Sequence, residues 1–378
     1  MGRSARSWDE SDVRVRPNRR GSRPRTKERP KHEDAIVGRV TAVDRGRWTT
    51  LVPAGEGLPE RIVIAMRARE LGRSPVVVGD RVAMVGDTSG RPDTLARIVR
   101  IEERATVLRR TADDTDPVER VIVANADQLV VVAALADPEP RPRLIDRCLV
   151  AAYDAGMDPL LVLTKADLAS AEDFLAQYAP LDVPHVVTSV LTEGSEGLSE
   201  LRGRLAGRTS VLVGHSGVGK STLVNALCPD ADRATGHVND VTGRGRHTST
   251  SALGLRLPPL PAHLPREMRT PDPSDAHLPR EMRTTEAEVD PDAAGWIIDT
   301  PGIRSFGLAH VEPDRIIGHF PELAEGADQG CPRGCSHDEP ECALDAWVAA
   351  GHAGPGGELR LDSLRRLLRA RSGEEAQG

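Results

Sequence analysis

A chain of 378 residues has length for two or three domains, each with its own core. No apolar run approaches a membrane span, and the first residues, MGRSARSWDESDVRVRPNRRGSRPRTKERPKH, lack the apolar region of a secretory signal, so the expected compartment is the cytoplasm. The net charge of −7 is uneven: residues 1–32 hold eleven Lys/Arg against four Asp/Glu, which is +7 and leaves −14 elsewhere.

Residues 1–34 therefore read as a disordered basic arm. They can bury too little apolar surface to fold, and polyanions are the natural partners of such an arm; a solubilising tail is the plainer alternative. From Ala35 the pattern is short alternating strands broken by Gly and Asp: AIVGRVTAV, WTTLV, ERIVIAM, DRVAMVG and LARIVRI. This spacing predicts a small β-barrel of the oligonucleotide-binding type over 35–112. Arg45, Arg47, Arg61, Arg67 and Arg69 are candidates to line a nucleic-acid groove or to form a solvated face, and with Trp48 the only aromatic there, base stacking is a weak expectation.

After a polar connection, TADDTDPVER, the texture becomes α/β over 120–308. A buried strand at 128–135 leads to the helix RLIDRCLVAAYDAG, with Leu144, Cys148 and Ala152 on one face. Then come a strand ending at Thr164, the strand HVVTS ending at Ser189, the strand TSVLVG, the helix KSTLVNAL and the strands SALGLRL and GWIID. Between 258 and 292 lies a Pro-rich insertion that carries the octapeptide HLPREMRT twice, at 263–270 and 277–284, and is read as a duplicated loop without chemistry.

Three motifs fall on this frame. Gly214-His215-Ser216-Gly217-Val218-Gly219-Lys220-Ser221-Thr222, between a strand and a helix, is a Walker A phosphate loop. Its backbone N–H groups face phosphates, Lys220 supplies positive charge, and Ser221 takes a position on Mg²⁺. WIIDTPG delivers Asp299 as a second Mg²⁺ partner and Gly302 as a γ-phosphate donor. In GRGRHTST, Thr248 is the candidate switch threonine on Mg²⁺, with Thr250 as a second candidate.

In that setting LTKADL becomes a guanine-reading loop. Asp167 accepts guanine N1–H and the N2 amine, a pairing adenine cannot make. Lys165 packs over the base, Ala166 lies between them, and Thr164 stands where Asn is commonest, which predicts a weaker tie to the phosphate loop. The segment TSV adds Ser189 and Val190 beside guanine O6. The guanine loops precede the phosphate loop, so the domain is circularly permuted. Ile303 after DTPG cannot orient an attacking water, which leaves His247 as the candidate; a loop histidine that only contacts a partner is the alternative.

Near the C-terminus CPRGCSHDEPEC sets out Cys331, Cys335, His337 and Cys342, a donor set suited to one tetrahedral Zn²⁺ in a small helical module over 309–378. Cys148 and Cys228 read as core. The helix LDSLRRLLRARS offers Arg365, Arg366, Arg369 and Arg371 to nucleic acid, which the resemblance below makes rRNA, or as a plain solvated face.

With barrel, ERVIVANADQLVVV, IDRCLV, TKADL, GHSGVGKSTLVNAL, GRGRHTST, IIDTPGIRSF and the Cys/His cluster in this order, residues 35–370 resemble the ribosome small subunit-dependent GTPases, the RsgA, YjeQ or YloQ family. The resemblance implies a cytoplasmic GTPase that binds the late small (30S) subunit and its 16S rRNA, is stimulated by it, and leaves after GTP becomes GDP; nothing in the sequence demands more than a monomer. Two departures stand out: the longer loop at 258–292, and a metal motif tighter by one residue in each gap. The readings that compete are an RNA-binding module whose nucleotide site is structural, and a P-loop ATPase.

Overall fold

The computed structural model describes residues 32–55, 57–72, 74–111, 119–189, 196–229, 252–259, 294–300, 308, 310–340 and 342–372. Outside the described residues lie nearly all of the basic arm, Val190, His247, Thr248, Thr250, the HLPREMRT repeats, Gly302 and Ile303.

Alternating apolar residues build β1 (Ile36–Asp44), β2 (Arg47–Val52), β3 (Arg61–Arg67), β4 (Arg81–Gly86) and β5 (Ala96–Ile101). They pair in the closed order β1-β2-β3-β5-β4-β1, so the N-terminal region is a five-stranded barrel. Closure removes free edges and turns Val40, Val63, Val82, Met84 and Ile98 inward. Trp48 belongs to this core, 8% exposed with its indole N–H donating to Val76 O, so it is no stacking platform. Leu108 and Val123, both buried, draw β6 (Val107–Arg110) and β7 (Arg120–Ala124) into an antiparallel pair across what the sequence presented as a polar connection.

The next sheet runs β10-β9-β8-β11-β13-β12, from β8 (Gln128–Ala134), β9 (Asp158–Thr164), β10 (His185–Val187), β11 (Thr209–Val213), β12 (Leu253–Arg256) and β13 (Trp296–Asp299). All are parallel except β12. β8 and β11 are buried along their whole length, which explains their unbroken apolar sequences. Helices α1 (Pro142–Ala155), α2 (Glu172–Ala176), α3 (Glu196–Leu205) and α4 (Lys220–Leu227) belong to this layer. Cys148 and Cys228 are core, 1% and 5% exposed. The strand feeding the phosphate loop, β11, lies between β8 and β13, although β8, β9 and β10 all precede it in the chain. That is the sheet of a P-loop GTPase cut and rejoined.

One residue pair, Ala42 with Leu253, joins barrel and nucleotide domain into a continuous sheet. The C-terminal region is helical: α5 (Pro313–Ile317), α6 (Pro321–Gly330), α7 (Ala343–Ala349) and α8 (Gly357–Ser372). Among the described residues no helix is long and apolar enough to cross a membrane.

Candidate nucleotide and metal sites

The end of β11 turns sharply because Gly214 runs against β8: a Cβ there would stand 2.2 Å from Val132 O. Gly219, at φ 91°, caps α4 in a conformation that side chains resist. Val218 is buried between these glycines, while Ser216, Ser221 and Thr222 are exposed at the mouth and His215 is half-buried with its Nδ1 2.8 Å from Ser216 O. Lys220 Nζ folds back over the loop, donating to Gly214 O at 2.6 Å and His215 O at 2.8 Å. Burial pulls its pKa down and the neighbouring Asp299 carboxylate opposes that. Burial in turn pushes Asp299 up, opposed by Lys220. A carboxyl held in this state gains most from an added divalent cation.

The guanine-side candidates connect to the same loop through Thr164. Thr164 Oγ1 donates to Val218 O at 2.7 Å, both groups buried, so the tie expected to be weaker is a short, direct hydrogen bond. Threonine reaches because the C-terminal end of β9 passes beside Gly219. Lys165 sits at φ 59° and donates through Nζ to Asp137 O. Ala166 N–H bonds Thr188 O at 3.3 Å, and Ser189 Oγ donates to Asp167 Oδ1 at 2.5 Å, which fixes the plane of that carboxylate.

The four metal candidates also converge. Their ligand atoms lie within 4.8 Å of one another, and Cys331 Sγ and Cys342 Sγ are 3.8 Å apart, the separation of about 3.8 Å that tetrahedral zinc with bonds of about 2.3 Å requires. Cys331 ends α6 and Cys342 caps α7, so two helix ends supply two donors. Cys335, His337 and Cys342 are buried. Burial, with the neighbouring sulfurs, pushes the Cys342 thiol up to about 12, and burial holds the His337 imidazole below its usual range against the nearby Asp314 and Glu339 carboxylates. Buried thiols become ligands only when a cation offsets that cost, and this donor set fits one.

Comparison with known proteins agrees with this geometry. A family model described as RsgA GTPase matches residues 101–259. The small ribosomal subunit biogenesis GTPase RsgA of Gemmatimonas aurantiaca is 34% identical over 342 residues, covering 89% of this chain and 99% of that one. The chain belongs to the RsgA GTPase family. The Chlorobaculum tepidum member is 33% identical over 84% of this chain and 94% of its own. Among solved structures, YjeQ from Thermotoga maritima superposes with a TM-score of 0.56 at 24% identity over 90% of this chain and 99% of that one. YloQ, described as a circularly permuted GTPase, gives 0.55 at 19% over 93% and 100%.

Within this RsgA framework the α8 arginines differ from their reading as an rRNA-facing or solvated row. Arg365 makes a bidentate pair with Asp345 and bonds His337 O, Arg369 pairs with Asp338, and Arg371 donates to Val311 O. Arg366 lies 3.1 Å from buried Asp146 and over the Tyr178 ring. They brace the metal loop and dock α8 on α1, where Arg147 in turn donates to Ala370 O. Two residues of the nucleotide site escaped sequence reading: Asp137, whose backbone carbonyl holds Lys165, and Thr300, whose hydroxyl donates to Leu212 O at 2.6 Å. Only the Thr of DTPG carried a visible signal.

Proposed function

We propose that the chain is a GTP-hydrolysing factor of small-ribosomal-subunit assembly, stimulated by the subunit and released on hydrolysis. The observation that carries the reading is the Thr164–Val218 hydrogen bond, which locks a TKAD turn to a phosphate loop lying later in the chain. The relatives named for small subunit biogenesis supply the partner, and 16S rRNA is the polyanion that the basic arm, 1–34, would meet. The barrel, 35–112, and the metal module, 309–378, grip the subunit, and the nucleotide domain, 120–308, times release of a monomeric factor in the cytoplasm.

In this reading Asp167 and Lys165 hold guanine, with Thr164, Ala166, Ser189 and Val190 around it. Residues 214–222 and Gly302 hold the phosphates. Ser221, Thr248 and Asp299 share Mg²⁺, which screens phosphate charge when bound. One zinc joins Cys331, Cys335, His337 and Cys342. His247 orients the attacking water.

The test is GTP hydrolysis with and without purified small subunits, alongside competition among GTP, GDP and ATP. Stimulation with guanine selectivity is expected, and His247→Ala abolishes stimulation while retaining GTP and subunit binding. Absence of stimulation would mark an RNA-binding module with a structural nucleotide, and tight ATP binding would remove the role given to Asp167.

A further inference from the structure

One of the seams between the barrel and the nucleotide domain lies at the two strands that lead from and to the candidate switch motifs. β12 follows the GRGRHTST segment, and β13 ends in Asp299. Ala42 of β1 pairs with Leu253 of β12, and Leu253 pairs with Asp299, so one row of the sheet connects the barrel with the Mg²⁺ carboxylate candidate. At the other end of that ladder Arg256 pairs with Trp296. Arg256 also makes a bidentate ion pair, at 2.9 and 2.6 Å, with Glu60, the residue just before barrel strand β3. Its guanidinium lies 5.1 Å from the Trp296 ring centre, and that of Arg39, from β1, lies 5.2 Å away. Arg39 further donates to Thr209 Oγ1, at the start of the strand that feeds the phosphate loop.

We infer that Glu60, Arg256, Trp296 and Arg39 are positioning residues through which the barrel sets the place of Asp299 and of the phosphate-loop strand. The inference rests on the nucleotide reading. Two guanidinium groups on one ring, itself 5% exposed, hold that ring from both domains, because Arg39 lies in the barrel and Arg256 in the nucleotide domain. Arg256 Nε is moreover buried without a hydrogen-bond partner. What the arrangement yields is orientation: bidentate and stacked arginine contacts are planar and fix geometry. β12 is laddered to β13 along all four residues but shares one residue pair with the barrel, so these side chains strengthen the tie between that two-strand unit and the barrel. A partner that displaces β3 moves Glu60, and with it Arg256, β12 and β13.

The experiment uses the full chain and the variants Glu60→Gln, Trp296→Phe and Trp296→Leu, with two readouts. One is amide hydrogen exchange of residues 252–259 and 294–300 in nucleotide-free protein. The other is the Mg²⁺ concentration giving half-maximal GTP hydrolysis. Glu60→Gln is expected to speed exchange in both segments and to raise the Mg²⁺ midpoint, by less than the roughly tenfold that loss of a group bonded directly to a metal ligand gives. Trp296→Phe, which keeps a ring, stays near wild type, and Trp296→Leu follows Glu60→Gln. A folded Glu60→Gln protein with unchanged exchange and Mg²⁺ midpoint would overturn the inference. If Trp296→Leu fails to fold, Glu60→Gln decides, since that carboxylate is about one-third exposed. A wild-type chain that hydrolyses no GTP sinks the nucleotide reading instead, and the exchange arm still judges the seam.

Discussion

Thr164, Ser189 and Asp299 come to the candidate nucleotide site from the ends of different strands and Val218 from the phosphate loop, whereas all four candidate metal ligands come from the single segment 331–342. The first site rests on strands that are buried end to end, such as β8 and β11, and its geometry is a by-product of the domain core. The second has two helix ends and a few arginine ties around it. A bound nucleotide should thus be optional for the first fold and a bound metal obligatory for the second.

Metal removal is the largest expected effect. Cys335→Ser, or chelation, should release one zinc per chain and loosen α8, because Arg365 bonds His337 O and Arg369 pairs with Asp338 beside the ligands. Structural zinc is worth on the order of 10 kcal/mol in small modules, so helical circular dichroism should fall and protease should cut within 331–342. GDP binding should persist. Metal-free protein with wild-type stability would erase the contrast.

A smaller effect is expected from Thr164→Val, which strips the donor from buried Val218 O. A buried acceptor left unpaired costs about 1–3 kcal/mol, so calorimetry should show GTP and GDP affinity falling roughly tenfold, with Thr164→Asn recovering most of it. Affinity equal to wild type in the valine variant would mean that the core alone holds the two loops together.

The last effect, confined to a pH window, is at the docking face of α8. Burial pushes Asp146 up to about 6 despite the opposing charge of Arg366. The folded protein therefore holds this proton more tightly than the unfolded chain. Its contribution is complete below about pH 4 and is lost as pH rises through about 6, at most on the order of 3 kcal/mol. Asp146→Asn should flatten that decline in thermal midpoint between pH 4.5 and 7. An identical pH profile for the two proteins would show that Arg366 fully compensates the carboxylate.

Much was legible in the sequence because its chemistry is local. Gly214 to Thr222 and Cys331 to Cys342 each state a donor set within one short segment, and the unbroken apolar β8 and the alternating β1 announce which faces are buried. The order of TKAD before the phosphate loop was likewise sufficient for the permuted topology. Contacts between distant segments were not legible. Nothing local tells that Thr164 reaches Val218 O, that Asp137 O holds Lys165, that β6 and β7 pair, or that Arg256 closes on Glu60 and Trp296. The α8 arginines show the limit best: a row of charges at helical spacing reads as solvated, and only the packing of α8 against α1 and the metal loop brings Asp146, Asp338 and Asp345 within reach. Periodicity determines which face of an element is apolar, but a long polar side chain finds its partner only after the elements have packed, since that partner comes from anywhere in the chain.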